Sequence, residues 1–111
     1  MGLGGIFGKT GRNEEALAQL RKARELDPAN FETNMALGRL LAKTGNLEES
    51  IRFLQEAAKQ SPQSPEVHYQ LALSLQRASH KVEAAKEFAE VDRLNRERRG
   101  AAGLGMESPR P

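Results

Sequence analysis

With 111 residues, 38% of them hydrophobic, and no cysteine, the chain has room for one small domain and none for disulfide or thiolate chemistry. No apolar run approaches the ~18 residues that a membrane span needs, and the start lacks the basic region and long apolar core of a signal peptide, so the expected compartment is the cytoplasm. The formal net charge of +2 is uneven: residues from Arg93 onward carry +3 and residues 1–92 carry −1, with no base-stacking aromatic near the basic end, which argues against nucleic acid as a partner.

The opening, MGLGGIFGKTGR, contains Gly8-Lys9-Thr10, the end of a phosphate-binding loop. Such a loop needs a glycine five residues before Gly8, so that successive N–H groups curl around the anion; that place holds Leu3, and no strand has room to precede it. The run has another origin. At one constant offset, Lys9-Thr10-Gly11 returns as Lys43-Thr44-Gly45, Leu3-Gly4 returns as Leu37-Gly38, and Pro28 returns as Pro62. A fixed period of this size is the mark of a structural repeat.

The elements follow from apolar spacing. A short, glycine-bearing first helix is expected before the turn at Gly11, then a helix from Asn13 with Ala16, Leu17, Leu20, Ala23 and Leu26 on one face, ending at Asp27-Pro28. The next runs from about Asn30, a plausible N-cap, to Lys43, with Phe31, Met35, Leu37, Leu40 and Leu41. After the turn Thr44-Gly45-Asn46, the residues Leu47, Ile51, Leu54, Ala57 and Ala58 define a face that runs out at Gln60-Ser61-Pro62. Ser64-Pro65-Glu66 is a helix start: the hydroxyl can accept a free N–H, proline fits the first turn, and a carboxylate suits the positive helix end. That helix carries Val67, Leu71, Ala72 and Leu75 and ends near Ala78. The last, Lys81 to Arg99, carries Val82, Ala85, Phe88, Ala89 and Val91, and the Gly- and Pro-rich residues 100–111 read as a disordered tail. The expected fold is all-α, an α-solenoid of antiparallel helix pairs.

The pattern resembles the tetratricopeptide repeat, whose consensus of W-x2-L-G-x2-Y, then A-x3-F, then P recurs at this same period. In Phe31 to Ser64, Asn34 takes the tryptophan place, Leu37-Gly38 is the L-G pair, Leu41 takes the tyrosine place, Ser50 and Leu54 the A-x3-F, and Pro62 closes. The following copy has His68, Leu71-Ala72, Leu75 and Ala84-x3-Phe88, with Arg96 where proline belongs. The leading copy has Leu3-Gly4, Phe7, Ala16-x3-Leu20 and Pro28, without the first half of its first helix. The resemblance implies about two and a half to three copies: an incomplete repeat over 1–29, repeats over 30–64 and 65–99, and the tail. The small residues Gly38, Ser50, Ala57, Ala72 and Ala84 are expected where helices approach closely.

The resemblance further implies a right-handed superhelix whose concave face, lined by the first helix of each pair, holds a peptide or protein. Carried over by position, that face comprises Lys9, Glu32, Met35, Arg39, Lys43, Glu66, Tyr69, Gln70, Leu73 and Arg77. Its cations suggest an acidic partner, and Met35, Tyr69 and Leu73 a modest apolar anchor site. The carboxylate clamp with which one branch of the family grips chaperone tails is missing: its Lys, Asn and Arg places fall on Met1, Gly5, Ala36, Glu66 and Gln70. His68, in the tryptophan place, is expected to be packed, and His80 to face water at a turn. Glu14-Glu15 and Glu48-Glu49 start helices, where carboxylates favour the dipole. No nucleophile, base and orienting partner assemble, and no metal-ligand spacing occurs, so neither catalysis, metal nor cofactor is expected. An alternative role is assembly, as a homo-oligomer stacked through uncapped terminal repeats or as part of a longer array, since solenoids need polar caps, and a third is an adaptor fragment of a larger protein.

Overall fold

In the computed structural model, which describes residues 2–107 and the side chains of 11–100, five α-helices follow one another: α1 (Gly2–Leu26), α2 (Phe31–Lys43), α3 (Leu47–Gln60), α4 (Pro65–Arg77) and α5 (Lys81–Glu107). Local chemistry sets their ends. Asn30 has extended backbone and its side-chain oxygen accepts the Thr33 N–H at 2.8 Å, so it caps α2 as expected. Ser64 also has extended backbone, but its hydroxyl makes no capping bond; Pro65, at the first helical position, already removes one of the N–H groups that would need an acceptor. α2 and α4 end alike. The Gly45 N–H bonds Ala42 O and the Asn46 N–H bonds Leu41 O, while the Ser79 N–H bonds Gln76 O and the His80 N–H bonds Leu75 O. Both turns pass through a left-handed residue, Gly45 at φ 91° and Ser79 at φ 69°, which hold the same place in successive repeats.

Each helix packs against the next, and α2 also touches α4, so α2/α3 and α4/α5 are antiparallel pairs and α1 holds the place of the second helix of a preceding pair. Leu37, Leu41, Leu54, Ala57, Val67 and Ala72 are wholly buried along the seam, and Ile51, Leu54, Leu71, Leu75 and Ala84 form one apolar cluster. Two expectations change. The first helix does not turn back at Gly11: α1 is continuous from Gly2, and Gly11 keeps negative φ. Gly2, Gly4, Gly5 and Gly8 are each about 1 kcal/mol poorer than alanine in a helix, and nucleating a separate short element costs more than extending an existing helix. At the other end α5 continues past Arg99 and Gly100 to Glu107. Ala101, Ala102 and Leu104 favour helix, and extension costs far less than nucleation. Residues 108–111 lie outside the described residues.

Candidate partner-binding surface

The surface is set by how α2 and α4 are fixed against their neighbours. A Cβ on Gly38 would sit 2.4 Å from Leu54 Cγ, so at the L-G pair α2 and α3 lie too close together to admit a side chain. Beside it the Ser50 hydroxyl donates to Gly38 O at 2.6 Å and lies 2.9 Å from the Ser74 hydroxyl. The Ser50 proton goes to the carbonyl, which can only accept, so Ser74 donates to Ser50. A buried chain of two bonds thereby joins α2, α3 and α4 across the repeat junction.

The tryptophan places are filled by polar hubs. Asn34 is wholly buried: its amide donates to Pro28 O (3.0 Å) and to Gln60 Oε1 (3.2 Å), and its oxygen accepts from Arg24 Nε (2.9 Å). The Arg24 guanidinium also lies 4.9 Å from the Phe53 ring centre, so one arginine closes α1 onto α2 and α3. His68, one repeat on, has the same motif: Nε2 faces Pro62 O at 2.8 Å and Nδ1 faces Glu87 Oε1 at 2.6 Å. Each hub ties the carbonyl of the preceding loop's proline to a helix start, and no buried polar side-chain atom among the described residues lacks a partner.

Ion pairs fasten the outer edges. Arg21 meets Glu49 at 2.9 Å, and this donor holds the Glu49 carboxyl below its ordinary pKa. His80 Nε2 meets Glu48 at 2.9 Å and Nδ1 lies 3.5 Å from Glu83; the bond to Glu48, then the charges of Glu48 and Glu83, raise the His80 pKa. Arg93 grips Glu90 and Glu97 along α5, which lowers the Glu90 pKa. The acidic pair at the start of α3 therefore does more than suit a helix dipole, since each member reaches a different neighbouring element.

The ten expected surface residues divide. Arg39 and Lys43 are exposed and, with half-buried Gln70, line one groove of about 470 Å³ that also touches Leu20 of α1. Glu66 and Tyr69 line a second, of about 420 Å³, against Val91 and Arg98 of α5, with the Tyr69 ring edge-on to Phe88 at 6.2 Å. Met35 is half-buried and packs against the apolar cluster, so it serves the core at least as much as the surface. Arg77 donates to Ala42 O at 2.9 Å, tying the end of α4 to the end of α2. Glu32 is exposed and Leu73 half-buried, while Lys9 lies outside the described side chains. Sequence reasoning missed the hubs, the Ser50–Ser74 bond and the Arg77 tie. The signal for the first was present: Asn34 follows Pro28, and His68 follows Pro62, at the same spacing.

Among the described residues no cluster of His, Asp or Glu could hold a metal ion, and no helix is long and apolar enough to cross a membrane. Helix pairs recurring at a fixed period define a helical-repeat interaction scaffold. The tetratricopeptide repeat model matches residues 9–73, more than half of the chain, and the chain belongs to that family of protein–protein interaction modules. Among solved structures it is similar to MamA AMB-1 (26% identity, TM-score 0.74, covering 79% of this chain and 48% of that one). It is likewise similar to MamA MSR-1 (26%, 0.73, 80% and 51%) and to MamA from Desulfovibrio magneticus RS-1 (26%, 0.74, 85% and 53%). The chain thus spans about half the length of these MamA chains. No curated protein matches it by sequence.

Proposed function

We propose that this chain is a non-catalytic interaction module that holds an acidic segment of a partner protein across α2 and α4. One observation carries the reading. Arg39, Lys43 and Arg77 are exposed on these two helices, and none of them meets a carboxylate among the described residues. The arginines that do form ion pairs, Arg21, Arg93 and Arg96, belong to α1 and α5. Helical geometry aligns Glu32, Arg39 and Lys43 on one stripe, and Glu66, Leu73 and Arg77 on another. Both stripes run from acid at the helix start to base at its end, so a partner's carboxylates are drawn to the basic edge, where arginine offers a two-pronged fork. The test is selection from a displayed peptide library followed by affinity measurement on Arg39→Glu/Arg77→Glu. Selected peptides should be acidic, and the double reversal should weaken them at least tenfold; a neutral consensus or an unchanged affinity overturns the reading.

A second reading, self-association, is favoured by the far groove, where Tyr69 is 46% exposed beside Val91. Sedimentation over a wide concentration range decides it, and a monomer throughout removes it.

A further inference from the structure

We infer that the groove between α1 and α3 seats a phosphorylated serine or threonine of a partner protein, with Arg24, Arg52 and Lys59 on the phosphoryl oxygens. This surface belongs to α1 and α3 rather than to α2 and α4, so the inference goes beyond the acidic-partner reading and does not depend on it.

The groove, of about 390 Å³, is lined by Arg24 of α1 and by Arg52, Phe53, Gln55, Glu56 and Lys59 of α3. α1 is one continuous helix, so residues 2–10 lie at least about 20 Å along its axis from Arg24. Arg24 is held in place before any ligand arrives. Its Nε donates to Oδ1 of the wholly buried Asn34 at 2.9 Å, and its guanidinium lies 4.9 Å from the Phe53 ring centre. Its two terminal nitrogens have no hydrogen-bond partner among the described residues. A guanidinium fixed at one edge and along one face offers the rest of its fork with little further ordering cost. Arg52 and Lys59 are exposed and seven positions apart, so they share one face of α3 about 10 Å apart along its axis, and both side chains reach a ligand between them.

Charge selects the ligand. None of the three cations meets a carboxylate among the described residues, and Glu56 is the one carboxylate in the lining, which therefore carries +2. Glu49, a turn before Arg52, is bonded by Arg21, and Glu25 lines an adjoining groove with that same arginine. The counterpart one repeat on is neutral. There Ala58 stands for Arg24, and Lys86, Glu87, Glu90 and Arg93 stand for Arg52, Phe53, Glu56 and Lys59. Glu87 is bonded to His68 and Glu90 to Arg93. The excess charge is thus a property of this junction and not of the repeat. A phosphate monoester carries about −1.5 to −2 near pH 7 and three terminal oxygens, enough for a forked arginine and two flanking cations. A carboxylate brings one charge and two oxygens, which Arg24 alone would satisfy. Nucleic acid is a poorer fit, since the Phe53 ring on which a base would stack already carries Arg24.

The experiment titrates the full chain, labelled with ¹⁵N, with a capped peptide of alanines around one phosphoserine. Saturable shifts are expected at the Arg24 Nε–H and at the amides of Phe53 and Glu56. Serine or glutamate in place of the phosphoserine should weaken binding at least tenfold, a readout that leaves the protein untouched. Arg52→Ala and Lys59→Ala, both at exposed positions, should each weaken the phosphopeptide several-fold, and Glu56→Gln should strengthen it. Inorganic phosphate should shift the same residues but bind more weakly than the peptide. No saturable shift at millimolar phosphopeptide, equal binding of the glutamate peptide, inorganic phosphate as tight as the peptide, or tighter binding of a single-stranded oligonucleotide would each overturn the proposal. The double reversal Arg39→Glu/Arg77→Glu should leave this affinity within about twofold at physiological salt, so the two readings fail separately.

Discussion

Replacing Gly38 by alanine probes the close approach of α2 and α3. The new Cβ would lie 2.4 Å from Leu54 Cγ and 2.5 Å from Cδ2, where ordinary contact is 3.4–4 Å, so Leu54 must give by roughly 1 Å. Its Cγ is a branch point rather than a flexible tip, and the side chain is 0% exposed, so α3 itself has to retreat. Overpacking of this kind costs about 1–3 kcal/mol. Retreat of α3 also stretches the Ser50 bond to Gly38 O, a loss of about 1 kcal/mol, while alanine returns about 1 kcal/mol in helix propensity. The net expectation is a destabilisation of about 1–3 kcal/mol, read from urea denaturation followed by circular dichroism. In a Leu54→Ala background the three nearest atoms to that Cβ are gone, so the same substitution should cost far less and can stabilise by up to ~1 kcal/mol through helix propensity. Leu54→Ala alone costs about 2–5 kcal/mol, so every sample carries the same concentration of TMAO to keep the series folded. A neutral Gly38→Ala, or an equal cost in both backgrounds, refutes the close-approach argument.

Further outcomes follow from the turns and hubs. Ser79 is exposed at φ 69°, where an L residue costs about 1–2 kcal/mol, so Ser79→Gly should stabilise by about 0.5–1 kcal/mol, after the glycine's extra unfolded-state entropy, and raise the melting temperature by about 2–8 °C. Gly45→Ala should lower it, and an unchanged melting point in both variants removes the strain argument. His80 should titrate by NMR above the ordinary histidine range, and Glu48→Gln should bring it back down. Because that pKa is raised on folding, its contribution to stability is complete below the unfolded-state value and fades as pH rises through the folded-state value; a His80 that titrates at or below the ordinary range contradicts the pairing. Asn34→Leu strips partners from Pro28 O, Gln60 and Arg24 at once and should cost about 1–3 kcal/mol in urea denaturation, despite adding apolar volume. A gain in stability would mean the hub is dispensable.

The period, the helix pairs and most of their ends were legible in the sequence, because each depends on local matters: apolar spacing, an Asn cap, a proline first turn, a glycine stop. The reading went astray at both ends of the chain for one reason. There the repeat pattern promised a break, at Gly11 and at Gly100, but a break is favoured only when the next element has something to pack on. The near-identity of Lys9-Thr10-Gly11 and Lys43-Thr44-Gly45 could not disclose that one run turns and the other stays helical. Within the candidate surface, the family resemblance pointed to Arg39 and Lys43, which are exposed, whereas the ties made by Met35 and Arg77 needed the neighbouring helix in position.

What the sequence determined by itself is a repeated preference: which residues start, stop and face inward on each helix, since these are properties of a segment and its solvent. Only the tertiary structure decided which polar groups meet. The partners of Asn34, Ser50, His68 and Arg77 lie between 6 and 35 residues away, brought within hydrogen-bond reach by packing, and for the buried Asn34, Ser50 and His68 burial is what makes the meeting obligatory.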